Sequence, residues 1–436
     1  MLKAHENQQL IRYAPEEFML TAASESKVRV AISGIGMVTP CGADRETSWR
    51  GLLTGQSVIR WLTPDEHRTR DCDINRTRLA GAPAVLPVGA DPSFAFAMDV
   101  MARCAVREAL EDADLPAVNL DRERTGVVVG TSKGSLGAWH QLLSQPVRAD
   151  VQRTLWKAGW SNSPALSLAS DYELYGPVLV PVAACATGLL SIGRGVQLIQ
   201  DGYCDVVLAG SVDDSLSEIL WASYRRLGVL ARVKETDPSR ACRPFDRERH
   251  GFLIGSGAGI VVLERWEHAA ERGHPPYAEW LAGAMASDST ALTQMSADAA
   301  GLTHLIRNVL NRGQVEPREV DYINLHGTGT RDNDRYETQG IRQAMGSAAD
   351  SIPCSSLKGT IGHLLGGAGS VEFAAMLLAM RDGLVPPTAN LTHPDPQCNL
   401  DYTPGAARPQ RIRTALKLSL GFGGHLVAGL VRNCRL

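Results

Sequence analysis

Several common features are missing from this sequence of 436 residues, and each absence excludes a class of protein. Only 6% of the residues are aromatic, and 44 basic residues against 47 acidic ones give a net charge of −3. Nucleic-acid-binding surfaces are strongly basic or rich in stacking rings, so we expect no nucleic-acid partner. Apolar runs are interrupted well before the ~18 residues that a membrane-spanning helix requires, so we expect no membrane span.

The short motifs of cofactor and metal sites are also missing. Neither GxxxxGKS/T nor a GxGxxG that opens a βαβ unit occurs, which excludes the usual phosphate and dinucleotide sites. The nine cysteines form no CxxC pair and there is no HExxH string, so we expect no metal, and reduced thiols in a cytoplasmic setting. Residues 1–27 carry acidic side chains and no signal-peptide pattern, which predicts a loosely held tail.

What the sequence does contain is an alternation of apolar, strand-like runs with helical segments. Strand-like runs that end in small-residue loops begin near residues 28, 125, 178 and 205, and amphipathic segments such as 44–53 separate several of them. The same pattern returns after a polar stretch that contains two prolines, at residues 265–276. This alternation predicts an α/β fold with a largely buried sheet and two similar halves, residues 28–270 and 271–436.

Cys185 lies where the apolar run Val178–Val182 gives way to a helical segment. Free N–H groups and the positive dipole at a helix start favour a thiolate, which predicts a lowered pKa for a nucleophile placed there. The flanking small residues leave room for a substrate. A free cysteine is also commonly a buried core residue, and the local pattern leaves both interpretations open.

Two histidines occupy comparable positions. His326 follows an apolar run and opens HGTGT, and His363 lies in LKGTIGHLLGGAG just before another helical segment. Each is at a glycine-rich junction from which a ring can reach a pocket, although a structural histidine fits either site equally well. The small residues at 256–259, SGAG, are interpreted as a tight backbone turn.

Five motifs make the sequence recognisable when they are taken together. They are, in order, VAACATG, RPFDRERHGFLIGSGAGIVVLE, VDYINLHGTGTRDNDRYE, SSLKGTIGHLLGGAGSVE and GFGG. Over residues 28–432 the chain resembles the β-ketoacyl-acyl carrier protein synthases, the condensing enzymes of fatty acid and polyketide assembly. It is similar to the elongating members with a Cys-His-His site rather than the initiating members with Cys-His-Asn.

This resemblance implies a thiolase fold, in which two similar halves form five layers, αβαβα, and usually a homodimer. Cys185 matches the acylated nucleophile, and His326 and His363 match the two histidines of the family. Lys358 matches the lysine a few positions before the second histidine. Phe422 matches the gating phenylalanine, whose backbone N–H joins that of Cys185 in an oxyanion hole.

The implied reaction is a decarboxylative Claisen condensation. An acyl group moves to Cys185, malonyl on an acyl carrier protein loses its carboxylate, and the enolate, held by the two histidines, attacks the acyl group. The chain itself needs no cofactor, because phosphopantetheine belongs to the carrier. Two alternatives stay open: an acyltransferase that forms no C–C bond, and a non-elongating partner subunit of a heterodimer.

Three departures from the family pattern bear on activity. Ser256 stands where an acidic residue is usual, and His250-Gly251 replaces the usual Arg-Asp-Gly, so we expect a lost buried charge near His363. Leu426 stands where GFGG is usually followed by an asparagine two positions on, so an amide side chain is lost, and we expect a more apolar or differently hinged gate. Gly329 in HGTGT is a milder change.

A basic stretch offers one docking surface for an acidic carrier. It contains Arg232, Lys234, Arg240 and Arg243. A solvated face is the simpler interpretation of such a stretch, and carrier docking is the functional one.

Overall fold

The computed structural model describes residues 28–63, 66, 79–87, 97–144, 149–233 and 237–435. The predicted tail at residues 1–27 and the predicted docking residue Lys234 lie outside this range. Within it, the helices are all too short or too polar to cross a bilayer.

The strands of the described residues are β1 Val30–Val38, β2 Arg60–Trp61, β3 Ala80–Gly81, β4 Thr125–Gly130, β5 Val178–Leu179, β6 Val206–Asp214, β7 Ser256–Arg265, β8 Ala278–Ser287, β9 Tyr322–Asn324, β10 Cys354–Ser355, β11 Leu384–Val385, β12 Arg408–Pro409, β13 Thr414–Gly421 and β14 His425–Asn433. The α-helices are α1 Arg45–Leu53, α2 Ala97–Asp112, α3 Leu136–Ser144, α4 Ala149–Gly159, α5 Ser163–Asp171, α6 Thr187–Gln200, α7 Glu218–Arg226, α8 Trp266–Glu271, α9 Ala300–Gly313, α10 Arg331–Met345, α11 Lys358–Ile361 and α12 Ala368–Asp382.

A ten-stranded sheet in the order β10-β9-β13-β14-β8-β1-β7-β6-β4-β5 organises the fold. From β1 outward, β7 and β6 add antiparallel and β4 and β5 add parallel. From β8 outward, β14 and β13 add antiparallel and β9 and β10 add parallel. The two halves therefore repeat one topology, and they join where β1 pairs with β8.

The helices form three layers around the two five-stranded halves. α2 packs on β1 and β7, and α9 packs on β8 and β14, so each half carries an outer helical layer. α6 contacts β4, β6 and β14, while α12 contacts β7 and β13, and these two helices also contact each other. α6 and α12 are thus the shared middle layer, which confirms the predicted five-layer thiolase arrangement.

The two central helices approach closely at their amino ends because glycines face each other there. A Cβ on Gly188 would lie 2.4 Å from the backbone N of Ser370, and one on Gly369 would lie 2.7 Å from that of Leu189. Real Cβ atoms do not approach so closely, so both positions require glycine. This contact brings the amino ends of α6 and α12 to one point in the molecule.

Some local predictions differ from the structure. The predicted tight turn at residues 256–259 is instead the first part of β7, paired with both β1 and β6. Its residues are small because α12 crosses the strand there: a Cβ on Gly259 would meet Val371 N at 2.6 Å. The run Val178–Val182 contributes only the two residues of β5, at the edge of the sheet. The division at residue 270 stays a prediction; it falls inside α8, which connects β7 of the first half to β8 of the second.

Candidate active site

Cys185 lies in a single 3₁₀ turn, Ala184–Ala186, that leads directly into α6. The preceding residue, Ala184, has a left-handed backbone with φ of 48°, a conformation that is strained for a residue with a Cβ and is found mostly at functional sites. The end of β13 closes the other side, because a Cβ on Gly421 would lie 3.3 Å from Cys185 N. The thiol is 6% exposed. A sharp, crowded turn therefore fixes the sulfur.

The two predicted histidines lie beside this sulfur. His326 follows β9, and His363 lies between α11 and α12. Their ring centroids are 5.4 Å apart with the planes at 78°, and one ligating atom of each lies within 4.8 Å of the other and of Cys185 Sγ. All three side chains are buried. The structure thus brings together three residues that are separated by up to 178 positions in the chain.

Both imidazoles present Nε2 as their donor. Leu365 N–H donates to His363 Nδ1 at 3.2 Å, and Lys358 Nζ lies 3.5 Å from His326 Nδ1. A ring nitrogen that accepts a hydrogen bond carries no proton, so the proton of each neutral ring is on Nε2. Burial, and then the nearby Lys358 ammonium, hold the pKa of each histidine well below its usual range. Two neutral N–H donors therefore serve the site at physiological pH.

A buried charge network holds the His326 backbone. Lys358 Nζ donates to the His326 carbonyl at 2.5 Å and to Glu372 Oε1 at 2.5 Å. On the other side, Glu337 accepts the N–H of His326 at 2.6 Å. Lys417 Nζ donates to Glu372 Oε2 at 2.7 Å, so Glu372 links two ammonium groups. Paired in this way, buried charges keep their hydrogen bonds and can fix the position of a loop.

Three members of this network were not predicted from the sequence: Glu337, Glu372 and Lys417. Glu372 lies on α12, whose other residues through Met380 are also buried, and Lys417 lies in the buried strand β13. A charged residue inside an apolar run is the one sequence feature that could have marked both, because an unpaired buried charge is not tolerated. Burial raises the pKa of Glu337 to about 7.

The electrostatics of Cys185 differ from the prediction. Burial raises the pKa of the Cys185 thiol to about 11, against the opposing effects of Lys358, Lys133 and the backbone N–H of Phe422. The predicted lowering by the helix start is therefore outweighed by desolvation. The Phe422 backbone N–H nevertheless donates to the sulfur, and its role in an oxyanion hole stays a prediction.

The departures from the family pattern have structural explanations. Ser256 Oγ accepts the N–H of Ala84 at 2.8 Å, so the serine is satisfied and holds a neighbouring segment. Leu426 is buried in the apolar cluster that includes Leu302 of α9, so it does not make the gate more apolar as we expected. Gly329 has φ of 80°, a conformation that favours glycine.

The predicted basic surface is smaller than expected. Arg243 is mostly buried and pairs with Glu248 at 2.6 Å. Arg240 is exposed, with Asp237 at 3.7 Å, and Arg232 is exposed as well. Two further exposed arginines, Arg225 and Arg226, end α7. Among the described residues of this region, exposed cations that a carrier could contact therefore include these four.

The three grouped side chains are also a possible ligand set for a soft metal ion, since two imidazoles and a thiol are ligands that zinc accepts. The sequence prediction of a metal-free site remains a prediction.

The fold and this site define a class: an α/β enzyme of the thiolase type, with a buried cysteine at the start of one central helix and two histidines beside it. The Beta-ketoacyl synthase N-terminal domain matches residues 27–269, and the C-terminal domain of the same family matches residues 277–392. The chain belongs to the β-ketoacyl synthase family.

Two curated relatives show the range of this family. The chain is 36% identical to the ketoacyl synthase alpha subunit of the tetracenomycin polyketide synthase of Streptomyces glaucescens, with 92% of this chain and 96% of the relative covered. It is 35% identical to 3-oxoacyl-acyl-carrier-protein synthase 2 of a Synechocystis species, with 93% and 98% covered.

Solved structures of ketosynthases are also similar to this chain. A type II polyketide ketosynthase, in complex with its acyl-carrier protein and bound to a hexaketide, has a TM-score of 0.85 and 30% identity, over 93% of this chain and 99% of that one. A β-ketoacyl synthase from Burkholderia phymatum has a TM-score of 0.82 and 29% identity, with 93% and 99% covered.

Proposed function

We propose that this protein catalyses decarboxylative condensation of an acyl thioester with malonyl carried on an acyl carrier protein, with Cys185 as the nucleophile. The observation that carries the proposal is the grouping of Cys185, His326 and His363 within 4.8 Å of one another, next to the Phe422 amide. Each step of the condensation has its group in this cluster.

In the first step the sulfur of Cys185 attacks the acyl thioester. The C–S bond to the carrier breaks, and the acyl group is left on Cys185 while the carrier departs as a thiol. The tetrahedral oxyanion of this step needs donors, and the backbone N–H groups of Cys185 and Phe422 are the two that flank the sulfur. Because the resting thiol is protonated, its proton must leave as the new bond forms.

In the second step malonyl-carrier loses carbon dioxide and becomes an enolate. The Nε2–H groups of His326 and His363 are neutral donors that stabilise the enolate oxygen without being consumed. The carbanion then attacks the acyl carbonyl, the bond to Cys185 breaks, and the sulfur regains a proton. Lys358 takes no part in bond making and positions His326 through its carbonyl.

The acyl carrier protein is the proposed macromolecular partner. The exposed arginines at the end of α7 lie one helical turn from Trp221, which shares an apolar cluster with Cys185. An acidic carrier that docks there would present its arm to the site. A homodimer is the expected assembly, and the half-exposed edge strand β5, with Leu179 38% exposed, is a surface that a second chain could cover.

The test is a two-stage mass measurement. The protein is first given acyl-carrier, and intact mass and peptide mapping locate the adduct; malonyl-carrier is then added while carbon dioxide and product mass are followed. A β-ketoacyl product two carbons longer, with the adduct on Cys185, is the expected result. Cys185→Ser should form no thioester adduct, and Cys434→Ser, which changes a distant thiol, should behave as the native protein.

The two alternatives give different results in the same experiment. An acyltransferase would form the adduct, and the adduct would persist when malonyl-carrier is added. A non-elongating partner subunit would form no adduct at all. Either result would refute the condensing function.

A further inference from the structure

We infer that the site at Cys185 selects acyl groups bearing a hydrogen-bond-accepting oxygen within a few carbons of the thioester, and that Lys133 is the main donor to that oxygen. The inference rests on the proposed function, because it names the class of acyl group that Cys185 receives. Lys133 lies outside the network that holds His326.

The topology places Lys133 beside the nucleophile. β4 lies between β5 and β6, and all three strands are parallel, so their carboxyl ends share one edge of the sheet. Lys133 follows β4, Cys185 follows β5, and Asp213 is near the end of β6. Ligands of open α/β sheets bind at this edge, so Lys133 and Cys185 lie on the side of the sheet where an acyl group is expected.

The Lys133 ammonium is only weakly paired with its carboxylate neighbour. Its neighbour Asp213 already accepts hydrogen bonds from Ser215 Oγ, from Gly366 N–H at 3.2 Å and from both the hydroxyl and the N–H of Ser132. Lys133 Nζ is 3.4 Å from each Asp213 oxygen, at the limit of a hydrogen bond, and also contacts Ser132 Oγ. Its side chain is 18% exposed. Lys133 could therefore donate a hydrogen bond to an oxygen of a ligand without breaking a strong ion pair with Asp213.

The positive charge of Lys133 affects the pKa values of Cys185 and His363. Burial raises the pKa of Cys185, and Lys358 followed by Lys133 opposes that rise. Burial also lowers the pKa of His363, and the same two ammonium groups lower it further. Both effects agree with the placement of Lys133 at the same edge of the sheet as Cys185.

A second, independent observation comes from the segment after Asp213. Trp221 Nε1 and Ser217 Oγ are buried and have no hydrogen-bond partner within the described part of the chain, with Trp221 9% and Ser217 8% exposed. Trp221 packs in the same apolar cluster as Cys185. An alkyl chain would leave such donors unsatisfied, at a cost, whereas an oxygenated chain could pair with them.

The test compares three acyl groups of four carbons, butyryl, acetoacetyl and succinyl, as N-acetylcysteamine thioesters, so that carrier docking plays no part. The rate of Cys185 acylation is measured by intact mass. We expect acetoacetyl and succinyl to react about tenfold or more faster than butyryl, the difference expected of a hydrogen bond to a charged donor. A faster succinyl reaction would identify a carboxylate, and a faster acetoacetyl reaction a ketone.

Variants of Lys133 assign the selectivity. Lys133→Met should lower the ratio of acetoacetyl or succinyl transfer to butyryl transfer by about tenfold or more. Lys133→Arg should keep the preference, and Lys157→Met, which removes an exposed lysine from α4, should change nothing. The comparison on the native protein needs no variant, so a misfolded Lys133→Met would not remove the test.

Equal rates for the three thioesters, or an equal loss of all three in Lys133→Met, would overturn the inference. Malonyl-carrier is then added to each adduct. A protein that elongates butyryl as readily as the others keeps the proposed function and loses the inference. Selective acylation followed by no elongation of any adduct keeps the selectivity and refutes the condensing function.

Discussion

Glu372→Gln should be one of the most damaging single changes outside the reacting groups. The carboxylate is 2% exposed and pairs with Lys358 and Lys417, whose side chains are both fully buried. Removing one partner of a buried pair typically costs about 3–5 kcal/mol, because the remaining charge is left uncompensated. Here two ammonium groups lose their partner, so we expect a loss at the upper end of that range.

Lys417→Met provides the matched comparison. It leaves Glu372 paired with Lys358 one to one, so it should cost less than Glu372→Gln. The double variant removes one charge of each sign, and its cost should fall short of the sum of the two single costs by about 0.5–3 kcal/mol, the range seen for residues in contact. Urea unfolding followed by fluorescence measures all four free energies.

Glu372→Gln should also lose more activity than Lys417→Met. With Glu372 replaced, Lys358 is free to leave the His326 carbonyl, so malonyl decarboxylation should fall more than acyl transfer to Cys185. Additive free energies, or a Glu372→Gln protein as stable as the native one, would refute the assignment of this carboxylate as the shared partner of two cations.

Four further results are expected. His326→Ala or His363→Ala should each slow malonyl decarboxylation by about 10² or more while acylation of Cys185 persists, measured by carbon dioxide release and intact mass; normal decarboxylation in both would remove the enolate role. Because burial raises the pKa of Cys185 to about 11, its rate of alkylation by iodoacetamide should rise about tenfold per pH unit from pH 7 to 9, and a plateau below pH 9 would contradict this. Burial lowers the pKa of Lys417 from 10.5 to about 8, so between pH 8 and 10.5 the unfolded chain binds one more proton at this residue than the folded chain. The contribution of Lys417 to stability therefore rises with pH and is lost as the pH falls through about 8. Lys417→Met should flatten that part of a stability–pH curve. Raising salt should raise the KM for acyl carrier protein more than it lowers kcat, because docking uses exposed cations, and a salt-independent KM would exclude an electrostatic contact.

The features of this molecule that depend on local sequence patterns could be predicted. The alternation of strands and helices indicated the α/β class, and the junctions at Cys185, His326 and His363 marked the residues that the fold brings together. These junctions are visible in the sequence because small residues, sharp turns and helix starts occur within a few positions of each side chain.

The partners of these residues could not be predicted in the same way. Glu372 and Lys417 are 45 positions apart and meet only because α12 packs against β13. The direction of the Cys185 pKa shift depends on how much water the folded chain excludes, which no local pattern records. Likewise, Leu426 follows the gate in sequence, but its side chain lies in the outer core.

The repeated topology leaves room for one nucleophile rather than two. Leu365, with φ of 50°, begins the 3₁₀ turn that leads into α12 just as Ala184 begins the turn that leads into α6, so Gly366 is the structural counterpart of Cys185. A Cβ at Gly366 would lie 2.6 Å from Ser132 N and 2.7 Å from Asp213 Oδ2. Ser132 and Asp213, the two neighbours of Lys133, thus occupy the space that a second thiol would need. An architecture with near two-fold symmetry has become functionally one-sided, with one half supplying the sulfur and the other the imidazoles, so neither half separated from the other would hold a working site.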